Sequence, residues 1–308
     1  MTLGYKLLTF EGAAGPEAGI LVGERVYPAH ALLKAERPLT VMALLQDWDR
    51  CKTDIATALK SADEGASLAL AGLRLLSPLQ NPGGIFCAGA NYRDHVAEMA
   101  RATNGRVPPE RSAEAKPWHF IKYSRCVVGT DEPVHLPPGA KRVDWEAELA
   151  VVIGRTIKRV TVDEALHCVA GYAVANDLSA RDLSRRADVP PDSPFHLDWL
   201  GHKSFDGSCP FGPWITLAED ILDPQNLRIG LEVNGDVMQD SNTSQMIFSV
   251  AEQISHLSQA LTLHPGDVIL TGTPAGVGAG RGVFLKAGDV VTVEIEGLGR
   301  IRNQIAAG

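Results

Sequence analysis

Two kinds of hydrophobic run alternate along the chain, and they predict two kinds of strand. Leu149–Ile153 and Gly171–Ala175 are apolar without interruption, as in strands covered on both faces. Val290–Ile295 differs. There Val291, Val293 and Ile295 alternate with Thr292, Glu294 and Glu296, which predicts one buried face and one wet face. Leu227–Val233 runs into Asn234-Gly235, a two-residue turn that hairpins favour. The C-terminal part uses one device twice: His264-Pro265-Gly266-Asp267 precedes Val268–Leu270, and Lys286-Ala287-Gly288-Asp289 precedes Val290–Ile295. Nearer the N-terminus, Gly19–Tyr27 predicts a hairpin, Thr40–Leu59 a helix and Leu73–Leu79 a strand. Helices are few. Thr161-Val162-Asp163-Glu164 and Ser249-Val250-Ala251-Glu252 have capping-box spacing, and each opens one. The pattern predicts a mainly β, α+β body with peripheral helices. The turn Asn81-Pro82-Gly83-Gly84 divides a small, β-rich N-terminal domain, residues 1–80, from a larger one, residues 81–308.

Composition narrows the class. The chain has 308 residues, 45% of them hydrophobic, enough to bury a large core. A net charge of −8 gives no basic footprint for nucleic acid. No apolar run reaches the roughly 18 residues that suggest a membrane span, and the first twenty residues lack the basic-then-apolar order of a signal peptide. The expectation is a cytoplasmic protein with neither nucleic acid nor membrane as partner. Five cysteines (Cys51, Cys87, Cys126, Cys168, Cys209) are scattered and never form a C-x-x-C pair. They read as reduced, buried small residues.

The main chemical signal lies in Val143-Asp144-Trp145-Glu146-Ala147-Glu148-Leu149. Residues two apart on a strand share a face, with Cβ atoms about 6–7 Å apart, so Glu146 and Glu148 can share one cation. They can equally be two solvated glutamates at a strand end. A second apolar run ends on Asn176-Asp177. An oxygen-only donor set suits Mg²⁺, Mn²⁺ or Ca²⁺ better than zinc or copper. His95 and Glu98, three apart, share a face if residues 91–101 are helical.

Read in order, the motifs resemble the fumarylacetoacetate hydrolase family from about residue 75 to the C-terminus. They are Gly89-Ala90-Asn91-Tyr92-Arg93-Asp94-His95-Val96-Ala97-Glu98, the Asp144–Gly154 stretch, Asn176-Asp177-Leu178-Ser179-Ala180-Arg181-Asp182, the Lys203–Trp214 stretch, and Thr271-Gly272-Thr273-Pro274-Ala275-Gly276-Val277-Gly278. The resemblance implies a mixed β-sandwich roll that assembles as a homodimer, with a small N-terminal β domain. It implies Glu146, Glu148 and Asp177 as ligands of Mg²⁺ or Mn²⁺, and a His95–Glu98 dyad on a mobile lid that activates water. By the same resemblance Lys203 faces the metal and offsets negative charge on the substrate. Lys122 and Thr273 contact the carboxylate of a small oxo-acid substrate, and Arg181 either binds that carboxylate or pairs with Asp182. The activity implied is hydrolysis of a carbon–carbon bond in a 1,3-dioxo acid of the acylpyruvate type, through a metal-stabilised enolate. The same ligands would serve an isomerase of 2-hydroxy-dienedioates from aromatic degradation, or an oxaloacetate decarboxylase. A non-catalytic binding protein on this fold is the alternative of a different class. The chain departs from the family pattern at Ser184, where many members have Gln, and at Tyr123, where Pro is frequent. The polar, lid-like Met99–Lys116, Arg185-Arg186 and the Pro190–Trp199 loop are individual too. These departures leave the substrate open.

Overall fold

The computed structural model describes residues 4–102, 105, 111–112 and 114–308. Strands β1 (Lys6–Gly12), β2 (Gly15–Val22) and β3 (Arg25–Pro28) form an antiparallel meander, followed by helices α1 (Val41–Gln46) and α2 (Trp48–Leu59). Next come β4 (Ile85–Ala88), helix α3 (Arg93–Ala102), β5 (His119–Lys122), β6 (Ala147–Ile153) and β7 (Val169–Asn176). A short helix α4 (Trp199–Lys203) leads to β8 (Cys209–Leu217). The hairpin β9 (Arg228–Val233) and β10 (Asp236–Asn242), helix α5 (Val250–Ala260), and β11 (Val268–Leu270), β12 (Val290–Ile295) and β13 (Gly299–Ala306) complete the chain.

Among the described residues, the larger sheet has twelve strands, with β1, β8, β7, β6, β11 and β4 as successive neighbours. The meander enters this sheet directly, since β1 pairs antiparallel with β8 and sets Lys6 opposite Thr216. Strand β11 is antiparallel to β6 and parallel to β4, with Val268 opposite Ile85. The second sheet runs β10, β9, β12, β13 and a short strand at Val134–His135.

Every residue of β6 is buried, and the two faces explain why. Leu149, Val151 and Ile153 pack with Ile229, Leu231, Val291 and Val293 of the second sheet. Ala150 and Val152 pack on the other side with Leu44, Leu45, Trp48 and Ile55 of the N-terminal helices. In β12 the predicted alternation is present: Val291, Val293 and Ile295 are buried and Glu294 is exposed. Asn234 (φ 55°) and Gly235 (φ 87°) supply the two positive φ values that a type I′ hairpin turn requires. Ser249 and Glu252 form the expected capping box, each side chain accepting the other's backbone N–H. The Thr161–Glu164 box opens a single helical turn, Val162–Ala165.

Two predicted elements differ. The Thr40–Leu59 helix is two helices, because Asp47 (φ −132°, ψ 53°) leaves the helical region; the bend lets Leu44, Leu45 and Trp48 all reach the core. Of Leu73–Leu79, Leu75–Leu76 alone is strand. Beyond it the chain turns so that the Pro78 carbonyl accepts a hydrogen bond from Thr9 Oγ1 at 2.8 Å. The Met99–Lys116 segment is helical to Ala102, and residues 103–104, 106–110 and 113 of it lie outside the described residues. The five cysteines are free and buried. Among the described residues no helix is long and apolar enough to cross a membrane.

Candidate metal centre and active site

The site begins where the β6–β7 ladder ends, at the pair Ala147–Asn176. Past it, side chains continue the work of the backbone. Glu146 N donates to Asn176 Oδ1 at 3.0 Å, Ala147 N to Gln239 Oε1 at 2.9 Å, and Asp177 N to the Glu146 carbonyl at 2.9 Å. Glu146 thus lies just ahead of the strand rather than on it, and still converges with Glu148. Carboxylate oxygens of Glu146, Glu148 and Asp177 all lie within 4.8 Å of one another, and the three residues are buried.

Cations surround this cluster unevenly. Lys203 Nζ donates to Glu146 Oε2 and Asp177 Oδ2, each at 2.7 Å. Arg181 grips Asp144 Oδ2 through Nε at 3.0 Å and reaches Glu146 Oε1 through Nη2 at 2.5 Å. Lys122 Nζ lies 2.7 Å from Asp177 Oδ1 and 3.1 Å from the Leu178 carbonyl. Burial pushes the Glu146 carboxyl up, but Lys203 and Arg181 outweigh it and hold the group well below the usual carboxylate range. Burial lowers the Lys203 ammonium, and Asp177 and Glu146 more than restore it, so it stays charged. Glu148 is the exception. Burial, then the charges of Asp177 and Glu146, push it well above the usual range. It accepts a hydrogen bond from Gly272 N at 2.6 Å and has no ion-pair partner among the described residues. An oxygen-ligated divalent cation fits these residues: the donors are three converging carboxylates, and the one without a counter-charge is the one a cation would relieve.

The second half of the site hangs from Asn91. Its buried amide donates to the Phe248 and Thr271 carbonyls at 3.0 and 2.8 Å and accepts from Phe248 N at 2.9 Å, fixing where α3 starts. Asp94 Oδ1 accepts from His95 N at 2.7 Å, and its Oδ2 accepts from Ser241 Oγ at 2.6 Å. Glu98 stands 3.4 Å from His95 Nδ1 and accepts from Gly276 N, 3.0 Å from each carboxylate oxygen. Burial raises the Glu98 carboxyl, but His95 and the Gly276 N–H bring it below its ordinary value. Gly276 must be glycine here: φ is 105°, and a Cβ would sit 2.0 Å from the Met238 carbonyl oxygen.

His95, Glu146, Glu148, Arg181, Lys203 and Thr273 line a cavity of about 160 Å³. Trp118, Phe120 and Trp199, three adjoining rings, give it an aromatic side as well. Thr273 is buried, and its Oγ1 accepts from Gln239 Nε2 at 2.9 Å. Lys122, expected against a substrate carboxylate, lies behind Asp177 and is not part of the lining. Arg181 does not pair with Asp182, which accepts instead from Lys141 N at 2.7 Å.

Several residues here escaped the sequence reading. Asp144 accepts from Trp145 N, Gly278 N and Ala279 N at 2.9, 2.6 and 3.0 Å and anchors Arg181. Its signal was present, since Asp144, Glu146 and Glu148 share one spacing of two. Asn176, beside Asp177, was also within reach. Gln239 gave no local sign, because it meets Ala147 across 92 positions. His202 lines the cavity. Its Nε2 has no hydrogen-bond partner among the described residues, and burial, with Lys203 and Arg181 nearby, lowers its pKa to about 3.

Comparison with known proteins places this geometry. Residues 84–306 match the family model described as fumarylacetoacetate (FAA) hydrolase C-terminal. The chain is 44% identical over 240 residues to a mitochondrial oxaloacetate tautomerase of Xenopus laevis, covering 77% of this chain and 70% of that protein. It is 41% identical over 232 residues to the 2,4-didehydro-3-deoxy-L-rhamnonate hydrolase of a Sphingomonas species, covering 74% and 75%. The solved maleylpyruvate hydrolase of a Sphingobium species, in complex with manganese(II) and pyruvate, aligns with a TM-score of 0.76 at 27% identity, over 98% of this chain and 99% of that one. The chain belongs to the fumarylacetoacetate hydrolase family of enzymes, whose members include hydrolases, isomerases and oxaloacetate tautomerases.

Proposed function

We propose that the chain hydrolyses a carbon–carbon bond in a 1,3-dioxo acid of the acylpyruvate type. One observation carries this reading: His95, backed by Glu98, lines the same small cavity as Glu146, Glu148 and Lys203. A divalent cation held by Glu146, Glu148 and Asp177, Mg²⁺ or Mn²⁺ by the chemistry of the donors, would supply Lewis-acid polarisation of the substrate's 2-oxo acid end. His95 takes a proton from water at the ring nitrogen not turned to Glu98, and Glu98 stabilises the imidazolium. The water oxygen bonds to the distal carbonyl carbon. The bond from that carbon to the methylene breaks, and its electron pair stays on the pyruvate half as an enolate. Lys203 offsets that charge. A proton returned from His95 to the methylene carbon completes pyruvate, and the acyl half leaves as a carboxylic acid. Thr273 Oγ1 accepts from Gln239, which leaves its O–H to donate to the substrate carboxylate. Lys122 and Arg181 act by holding Asp177 and Glu146 in place.

The 44% identity to an oxaloacetate tautomerase favours a second reading on the same residues. There His95 would move a proton between carbon 3 and the 2-oxo oxygen, and no water would be consumed. Turnover in ¹⁸O-labelled water separates the two. Hydrolysis of acetylpyruvate should place label in the acetate released. Rapid enol-to-keto conversion of oxaloacetate with no acylpyruvate cleavage would overturn the hydrolytic reading in favour of the second.

A further inference from the structure

We infer that the acyl half of the substrate is flat and uncharged, an aryl or conjugated alkenyl group, held against the aromatic side of the cavity. This rests on the reading of the head as a 2-oxo acid and names the tail. Trp118, Phe120 and Trp199 form a closed triangle of rings, with centroids 5.7 Å (Trp118–Phe120), 5.3 Å (Trp118–Trp199) and 5.1 Å (Phe120–Trp199) apart. The Trp118 indole lies so close over Gly89 that a Cβ there would sit 2.0 Å from the ring, so backbone holds it from behind. Trp118 is 52% exposed and Trp199 36%, and the wall therefore runs from the interior out to the mouth. Lys203 Nζ stands 4.9 Å from the Phe120 ring centroid, so the charged side of the cavity ends where the rings begin.

A tail bearing a second carboxylate fits this side poorly. The faces of aromatic rings are electron-rich and oppose an anion. Among the described residues, the lysine and arginine that line the cavity, Lys203 and Arg181, are already paired with Glu146, Asp177 and Asp144. A flat apolar tail gains from the same rings by stacking and by leaving water. His202 lines the cavity next to the rings, 5.7 Å from Trp199, and its buried Nε2 has no partner among the described residues. The carbonyl that joins the two halves of a 1,3-dioxo acid would complete it.

Two measurements on the Mg²⁺-loaded protein test the inference. The first is kcat/KM for benzoylpyruvate, acetylpyruvate and fumarylpyruvate. Benzoylpyruvate should exceed each of the others by on the order of tenfold or more, and Trp199→Ala should collapse that ratio. Trp118→Leu, at a half-exposed position, does the same duty if Trp199→Ala fails to fold. Equal values for the three substrates, or a preference for fumarylpyruvate, would overturn the inference. The second is calorimetric binding of pyruvate, 4-phenyl-2-oxobutanoate and 2-oxoglutarate, which needs no turnover. Tightest binding of the phenyl compound, in a protein that cleaves no acylpyruvate, would sink the hydrolytic reading and leave the tail preference standing. Binding of 2-oxoglutarate as tight as that of the phenyl compound would sink the tail preference itself.

Discussion

Two glutamates separated by one residue occur twice in the chain, at Glu146 and Glu148 and at Glu294 and Glu296, and the structure gives the two pairs opposite fates. Glu294 and Glu296 are exposed on and just past β12; Glu294 faces Arg300 across the ladder, and Glu296 accepts from Arg228 N at 3.1 Å. Glu146 and Glu148 sit at the end of a strand covered on both faces, beside a third buried acid. Spacing alone therefore does not make a site. What does is burial, which removes the water that would otherwise spread the charge, and a neighbouring strand end that delivers Asp177.

The sharpest way to break this comparison is to delete one glutamate from each pair. Glu148→Ala should reduce turnover on the order of 10³-fold or more, since Lewis-acid assistance is worth several kcal/mol. It should also abolish the rise in melting temperature that Mg²⁺ or Mn²⁺ gives the parent protein. Glu294→Ala should alter neither; if it weakens the cation response as much, the contrast between the pairs fails. Next in size is His95→Gln, expected to slow acylpyruvate cleavage by about 10²–10⁴-fold while the cation-dependent shift in melting temperature persists. Retention of full cleavage would remove His95 as the base. Stability should divide the two strands in the same way. Denaturant titration should find Leu149→Ala, buried inside the doubly covered strand, destabilised by about 2–5 kcal/mol, and Thr292→Ala on β12 within about 0.5 kcal/mol of the parent.

The smallest expected effect is one of pH. Glu148 in the cation-free fold holds its proton well above the usual carboxylate range, whereas in the unfolded chain it releases it near pH 4.3. Between those limits the folded state binds more protons, so stability falls as pH rises. Without metal the melting temperature should drop by a few degrees between about pH 5 and 8. Glu148→Gln should flatten that slope. A melting temperature that rises over the interval in chelator would contradict the buried, uncompensated carboxyl.

How much of this was legible in sequence follows the same divide. Continuous and alternating runs marked β6, β7, β11 and β12 because burial on one or two faces writes itself into every residue of a strand. The three acids flank apolar runs, which marked them only as candidates; the family resemblance joined them into one set. The break at Asp47 had only a weak local sign, an Asp that can stand before a new helix; the bend depends on Leu44, Leu45 and Trp48 all finding room against the sheet. Lys122 was misplaced for a related reason. Phe120 and Lys122 are two apart on β5 and point the same way, but their depth is set by β4 alongside, so Phe120 meets the cavity and Lys122 passes behind Asp177. Asn91 and Gln239 work through partners 34 to 180 positions away, and no short window of sequence contains both ends of such a bond.

Strand β11 lies between β6 and β4, so the segment carrying His95 is attached to the sheet by residues made some 183 positions later, as the pairing of Ile85 with Val268 records. A ribosome adding about 5–20 residues per second leaves β4 waiting roughly 10–40 s for that partner. Through that interval the unpaired edge of β4 is an open template for other strands, and Asn91, which fixes the start of the helix carrying His95, lacks its partners at Phe248 and Thr271. Such long-range pairing also slows refolding of the finished chain. The period in which a newborn molecule is most exposed to misassembly is thus set by the distance, along the chain, between β4 and the strand that ties it to the acid-bearing β6.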